Sequence, residues 1–498
     1  MQRLTGFDAA FFHLETAGTH MHVGQTCVFD PSTAPRGHSF ERIRQLIHDR
    51  LHLVPPFRRR LADIPMRLHH PVWLEDPDFD LDYHVRSAAL PQPGGVPELA
   101  DFTAEVMGRP LHRDRPPWEM YIVEGLEDGM VAGVTKVHHA AIDGLSGAEI
   151  TATLLDLSPE QVTTPPEGPW EPDRVSPFEL GRAAIGELAR QPRTVARLAS
   201  RTVGSALALR RRNRSEDTAP PPAPFSAPRT SLQTAISAHR RIAFAEVSLD
   251  KVKTVKNTLG GTVNDVILTM CAGALRSLLA ARGEHPERSL VAAVPVSVRS
   301  EEQRGTMGNQ ISAMLVSLAS TVENPVERLR AISAGSAQAK AQDKVFGVQE
   351  LSEWTEILSP GVVSRAARMA SRLKVLERLP PLFNVIVSNF PGPAFPLYFS
   401  GSRMLAAYPM GPVTDGGPLN ITVQSYMGTL FFGLVACRDA VPEVWDIAQY
   451  LDDTLNELSK AAAKAGPGGR SSEKAGPGGG SSEAAAPGGR RRPTGSAD

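Results

Sequence analysis

The sequence predicts a mixed α/β (α+β) protein built from two similar halves. Three observations carry this expectation. Stretches that alternate apolar and polar residues, as strands do, are interleaved with stretches at helical spacing in residues 1–160 and again in 236–462. A proline- and arginine-rich interval, 161–235, separates the two, and a repetitive tail, 463–498, follows. At 498 residues the chain exceeds one ordinary domain, and its 41% hydrophobic content can fill two cores.

In the first half, residues 7–14 have the pattern of a short amphipathic helix and 20–29 that of an extended segment. Residues 40–51 place Ile43, Leu46 and Ile47 on one helical face. Residues 121–124 and 130–137 read as strands joined by a tight turn at Glu127-Asp128-Gly129. A helix over 145–157 would turn Ile150, Leu154 and Leu157 inward. Proline clusters at both ends of 161–235 exclude helices and central strands there. Between them, 178–214 reads as a basic helical segment, with Arg193, Arg197 and Arg201 at spacing four. It fits either an anionic membrane surface or a solvated bridge between the halves. In the second half, 241–249, 290–298, 385–388, 421–425 and 430–436 read as strands. Helices are expected over 263–279, with Thr262 as N-cap, and over 328–342, 362–379 and 441–463. The tail repeats a ten-residue Gly/Pro/Ser unit too polar to offset chain entropy, so it is expected to be disordered.

The 53 basic residues nearly balance the 54 acidic ones, so charge offers no reason to propose a nucleic-acid partner. Cys27, Cys271 and Cys437 are far apart and include no Cys-x-x-Cys pair, which argues against a disulfide framework or zinc finger. The first residues lack a signal-peptide apolar stretch, and no window reaches about 18 consecutive apolar residues. A cytoplasmic protein, soluble or peripheral to a membrane, is expected. No residue pattern sets an oligomeric state.

The richest chemistry lies at Lys136-Val137-His138-His139-Ala140-Ala141-Ile142-Asp143-Gly144, where an apolar strand gives way to a helix. Adjacent strand residues point to opposite faces, so only one of the two histidines can face a given cleft. Asp143 stands at the helix start, and Gly144 lets a substrate or backbone approach closely. A neutral imidazole suits deprotonation of an alcohol as it attacks a carbonyl. The same pair could also be ordinary strand residues satisfied by hydrogen bonds. Zinc would need a third ligand, and no cysteine or glutamate stands at ligand spacing, so no metal is expected.

The His-His-x-x-x-Asp-Gly string resembles the signature of the coenzyme-A-dependent acyltransferase superfamily, which includes chloramphenicol acetyltransferase and condensation domains. The segments around it narrow the resemblance. Leu4-Thr5-Gly6-Phe7-Asp8 through Leu14-Glu15-Thr16, then Met21-His22-Val23-Gly24, is similar to the opening of the bacterial wax ester synthase/diacylglycerol acyltransferase family. Arg115-Pro116-Pro117-Trp118-Glu119 resembles that family's Pro-Leu-Trp element, with Pro117 where leucine is usual, and Thr262-Val263-Asn264-Asp265 resembles its Asn-Asp element. Val294 to Arg299, Met307-Gly308-Asn309-Gln310, Val387 to Pro393 and Leu419 to Thr422 match in order, so the resemblance covers about residues 1–460.

The resemblance implies two chloramphenicol-acetyltransferase-like domains with mixed sheets and an active-site tunnel at their interface. It implies that His139 is the general base, that His138 supports the site, and that Asp143 pairs with an arginine, for which Arg299 is the best candidate. Asn264 and Asp265 begin a long helix near the tunnel, where Asn264 would help hold the acyl group or polarise its carbonyl; alternatively both simply start the helix. Ser425 is a candidate oxyanion donor, and Pro116, Pro117 and Trp118 read as structural. The implied activity moves a long-chain fatty acyl group from acyl-CoA to diacylglycerol or a long-chain alcohol, with no covalent intermediate and no cofactor beyond the acyl-CoA substrate. Two alternatives are a carrier-protein thioester donor, as in condensation domains, and a non-catalytic protein bound to lipid droplets. The expected setting is the inner face of a membrane or a lipid inclusion.

Overall fold

The computed structural model describes residues 2–65, 69–142, 153–160, 222–223, 225–297, 311–343 and 380–466, with isolated positions at 168, 170, 172, 179, 365 and 369. In the first half these form β1 (Gln2–Arg3), α1 (Gly6–Leu14), β2 (His22–Asp30), α2 (Phe40–Arg50), β3 (Arg59–Ala62), β4 (Val72–Glu75), α3 (Leu81–His84), β5 (Val85–Ala89), α4 (Val96–Gly108), β6 (Trp118–Glu124) and β7 (Val131–His138). The second half supplies β8 (Arg240–Ser248), α5 (Leu249–Leu259), α6 (Val263–Ala281), β9 (Val291–Ser297), β10 (Ile311–Ser317) and α7 (Pro325–Asp343). It continues with β11 (Val385–Phe390), β12 (Tyr398–Phe399), β13 (Ser402–Met410), β14 (Leu419–Tyr426), β15 (Thr429–Cys437) and α8 (Val444–Ala465).

Two six-stranded sheets dominate, in the orders β12-β13-β2-β7-β6-β5 and β10-β9-β11-β14-β15-β8, beside a small sheet β1-β4-β3. Both large sheets are mixed: β5 runs parallel to β6, and β11 parallel to β9 and β14, while the other pairs are antiparallel. The fold is therefore the mixed two-sheet α/β architecture that the residue patterns predict. The second half nevertheless lends two strands to the first sheet. β12 and β13 come from the second half of the chain, yet β13 pairs along β2 in the first sheet. The 236–462 segment thus follows the chain and not the sheets: β13 lies between β12 and β2 and is hydrogen-bonded on both sides.

Local rules explain most elements. Thr5 caps α1 by accepting from the Asp8 backbone, and Thr262 caps α6 through a reciprocal box with Asp265. On α2, Ile43, Leu46 and Ile47 are all buried. The β6–β7 turn passes through Asp128 at φ 55°, where a short polar side chain tolerates the left-handed region. The helix expected over 145–157 is described only from 153: Leu154 is buried, Ile150 lies outside the described residues, and Leu157 is 71% exposed. The inward reading of Leu157 is thus corrected. Asp156 forms an antiparallel bridge with Tyr398, and its carboxylate accepts from buried Arg50 at 2.5 Å, so the chain has left helical geometry before Leu157. The expected helices 178–214 and 362–379 and the tail fall largely or wholly outside the described residues.

α6 is long and apolar enough to cross a membrane, with a mean hydropathy of 1.4 over its best window. It is instead mostly buried in the second core, against α8, α7 and the second sheet. All three cysteines are buried and free.

Candidate active site

Both histidines lie at the end of β7. His22 on β2 and His138 on β7 form the last described pair of that ladder, and His139 opens a 3-10 turn, His139–Ile142. Strand alternation separates them: His138 is buried, and His139 is partly exposed. The His138 N–H donates to Pro117 O at 2.9 Å, and the His139 N–H to Met21 O at 2.8 Å. The first of these bonds shows the part played by the Pro-Pro-Trp element. Trp118 is buried, donates its indole N–H to Phe57 O at 2.8 Å and stacks with Phe57 and His84, so it anchors the backbone that holds His138.

α1 covers the pair. Phe11 stacks on His139 with centroids 4.3 Å apart, and Phe12 stacks on His138 at 3.7 Å. Just past α1, Glu15 places Oε1 3.2 Å from His138 Nε2 and 4.0 Å from His22 Nε2, and its Oε2 accepts from Arg113 at 2.7 Å. The approach to His138 is an electrostatic contact, not a well-aligned hydrogen bond. On the opposite side of the ring, the Ala140 N–H donates to His138 Nδ1 at 3.2 Å. Nδ1 thus accepts, and neutral His138 carries its proton on Nε2, facing the carboxylate. Through Ala140 the same ring braces the turn that begins at His139.

The electrostatics follow from burial and from these contacts. At Glu15 burial acts most strongly and pushes upward, but the close contact with His138 and the hydrogen bond and charge of Arg113 together outweigh it and hold the carboxyl down to about 2. Burial depresses His138, with Glu15 opposing. Burial also pushes His139 down to about 4, His138 adds to this, and a contact with its own backbone opposes it. His139 Nδ1 is buried and, beyond the contact with its own backbone, has no hydrogen-bond partner among the described residues. At neutral pH His139 is therefore an uncharged imidazole. Lys136, on the same strand face as His138, is buried, donates to Val106 O and Arg109 O, and lies 3.6 Å from Glu119. It anchors the end of α4 to β7.

The same burial predicts an acid-labile first domain. Burial drives His20, His69, His84 and His139 down to about 4, and it also lowers His22 and His138. Unfolded histidine titrates near 6.5, so the unfolded chain binds more protons between pH 6.5 and 4. Stability is fully present above 6.5 and falls as pH drops toward 4, by up to about 1.4 kcal/mol per pH unit for each histidine. Urea midpoints should fall steadily from pH 7 to 5. A midpoint unchanged over that range would mean that these rings accept protons in place.

The other expected site residues divide. Asn264 Oδ1 accepts from Asn389 Nδ2 at 3.4 Å. Asp265 is buried at the start of α6, where Oδ2 accepts from the Thr262 backbone and hydroxyl and from Ser333, which is the helix-start role. Ser425 Oγ accepts from the Gly392 N–H at 3.1 Å, leaving its own O–H to donate. Asp143, Gly144 and Arg299 lie outside the described residues.

The two sheets meet near these groups. Gln25 Nε2, on β2, donates to Oε1 of Gln424, the neighbour of Ser425 on β14, at 2.8 Å. Gln25 lies three residues beyond His22, about 10 Å along the strand. In the second sheet, β9 pairs with β11 only at Ala292 and Ala293, whereas β11 follows β14 as far as Phe390. The two strands diverge past this point, where Pro295 has no N–H to offer and Asn389 reaches Asn264. Sequence reasoning missed Glu15, Phe11 and Phe12 as parts of the site. Their one visible signal was an acidic residue ending an apolar helix.

The catalytic-domain model of the wax ester synthase/diacylglycerol acyltransferase family matches residues 4–267, and its C-terminal-domain model matches 307–459. A putative diacylglycerol O-acyltransferase of Mycobacterium tuberculosis strain H37Rv is 36% identical over 92% of this chain and 90% of its own length. Another from the same strain is 37% identical over 92% and 99%. The structure of the wax ester synthase/diacylglycerol acyltransferase from Marinobacter aquaeolei VT8 superposes with a TM-score of 0.65 at 30% identity, covering 93% of this chain and 100% of that one. The first condensation domain of the CDA synthetase, at 14% identity and a TM-score of 0.53 over 93% and 96%, shares the fold. The chain belongs to the wax ester synthase/diacylglycerol acyltransferase family and is an acyltransferase.

Proposed function

We propose that the protein transfers a long-chain fatty acyl group from acyl-CoA to the hydroxyl of diacylglycerol or a long-chain alcohol, with His139 as general base. The observation that carries this reading is a neutral, partly exposed imidazole held by Phe11 on one face and by the Met21 carbonyl at its backbone. Because Nδ1 is buried, Nε2 is the nitrogen that meets the acceptor hydroxyl. It takes the proton as the alcohol oxygen attacks the thioester carbon. Collapse of the resulting tetrahedral intermediate expels the CoA thiolate, which recovers the proton from the imidazolium. A thioester is activated enough that no covalent enzyme intermediate or cofactor is needed.

In this reading His138 supports the turn, Asp143 pairs with Arg299, and Gly144 leaves room for substrate. Asn264, in the first turn of α6, and Ser425, on β14, flank the thioester from the second half of the chain, and the Ser425 hydroxyl is the candidate donor to the oxyanion. The protein works at a membrane or lipid-inclusion surface, where its acceptors reside. A carrier-protein donor remains the alternative chemistry for the same histidine, and a non-catalytic droplet protein would have no use for a neutral base. Purified protein incubated with radiolabelled palmitoyl-CoA and a mixed panel of diacylglycerol, monoacylglycerol and hexadecanol should yield triacylglycerol, wax ester or both. A panel that yields no ester with free acyl-CoA would overturn the reading.

A further inference from the structure

We infer that Phe395, Leu405 and Met427 form the face by which the protein sits on a lipid surface, with Arg403 and Lys251 at its rim for anionic headgroups. The three side chains are 53%, 43% and 41% exposed, the kind of apolar exposure that soluble surfaces limit. They come from three segments: the crossover loop from β11 to β12, the bulge in β13, and the tip of the β14–β15 hairpin. Backbone bonds tie these segments together. The Met427 N–H donates to Pro393 O, the Met404 N–H to Leu397 O, and the Tyr426 hydroxyl links Leu397 N–H to Met404 O. Pro391, Pro393 and Pro396 stiffen the loop that carries Phe395.

The hairpin tip argues most strongly for a use. Met427 and Gly428 form a two-residue loop with φ 47° and 83°, a geometry that favours asparagine then glycine. A methionine there bears backbone strain and exposes a long apolar side chain, which water does not reward but a lipid interface does. Charge points the same way. Arg403, exposed on β13 two residues before Leu405, has no carboxylate partner among the described residues; Lys251, beside the tip through the Leu249–Gly428 backbone bond, meets only the neutral Asn456 amide, at 3.5 Å, and no carboxylate among them. Lys253 nearby is already matched by Asp250. The patch also adjoins the proposed site, since the loop carrying Phe395 begins with the Gly392 N–H that donates to Ser425.

The proposal rests on the acyl-transfer reading only for the cargo it delivers, a lipid acceptor. The test uses the full chain with phosphatidylcholine–phosphatidylglycerol vesicles and the double variant Phe395→Ser/Met427→Asn. Asparagine accepts the tip's φ, so the variant should keep or slightly raise its Tm. Vesicle binding should fall about tenfold or more, because the two large apolar side chains are lost. Transfer to diacylglycerol embedded in vesicles should fall with it, while transfer from acyl-CoA to water-soluble hexanol is retained. Arg403→Gln should weaken binding to the anionic vesicles and leave phosphatidylcholine vesicles unaffected. Unchanged vesicle binding by the double variant, or parallel loss of hexanol transfer, overturns the assignment. If the wild type is inactive on every acceptor, the acyl-transfer reading fails, and vesicle sedimentation still decides the docking face.

Discussion

Replacing His139 with alanine should lower ester formation from acyl-CoA by roughly 10² to 10⁴-fold, the range that a positioned general base supplies. The fold should survive, because the ring is only partly buried and its backbone bond to Met21 O does not depend on the side chain. Circular dichroism and Tm of the variant check that point. The pH profile of the wild type supplies a second check. Burial holds the imidazole at about 4, so the base stays neutral and active down to that region, and the acid limb of kcat/KM should lie near 4 and well below 6.5. Measurements below pH 5 must be made quickly, since the other buried histidines weaken the fold there. Ester formation undiminished in His139→Ala would remove the proposed mechanism outright.

The second large effect is expected at Glu15. Its carboxylate is the shared partner of His138, His22 and Arg113. In Glu15→Ala the buried edge of His138 would have no acceptor, and the stack that holds the turn at His139 would loosen. Removing one member of a buried charged network costs about 3–5 kcal/mol, and the half-exposed Arg113 reduces this to about 2–3 kcal/mol here. Activity should fall together with stability. Glu15→Gln keeps the shape and still offers an oxygen to His138 Nε2, so it should recover most of the stability and part of the rate. The glutamate carries no reacting atom in this scheme. Its loss should therefore lower kcat while leaving the position of the acid limb tied to His139. If Glu15→Ala matched the wild type in both Tm and rate, the Glu15–His138 contact would have no bearing on the site.

Much of the architecture was readable because the signals were local. The Thr262–Asp265 capping box, the apolar face of α2 and the turn at Asp128 each arise within a few residues of one another, and the structure follows them. The position of the histidine pair at a strand end was legible for the same reason. What the residue patterns did not reveal depends on partners distant in the chain. Leu157 continues a helical spacing, yet Asp156 is drawn into a bridge with Tyr398 and the helix does not reach it. β13 gives no local sign that it completes the first sheet, because its partner β2 lies more than 370 residues away.

The amino-acid sequence by itself determined the mixed α/β class, the two-part layout, the strand end at His138 and His139, and the ordered motifs that mark the family. Periodicity, capping and motif spacing are short-range properties, written into the chain before it folds. Only the tertiary structure decided that Glu15 and Arg113 set the charge around His138, that Phe11 and Phe12 clamp the two rings, and that strands from the second half close the first sheet. Burial and charge pairing are sums over neighbours brought together from distant parts of the chain, and folding alone assembles those neighbours.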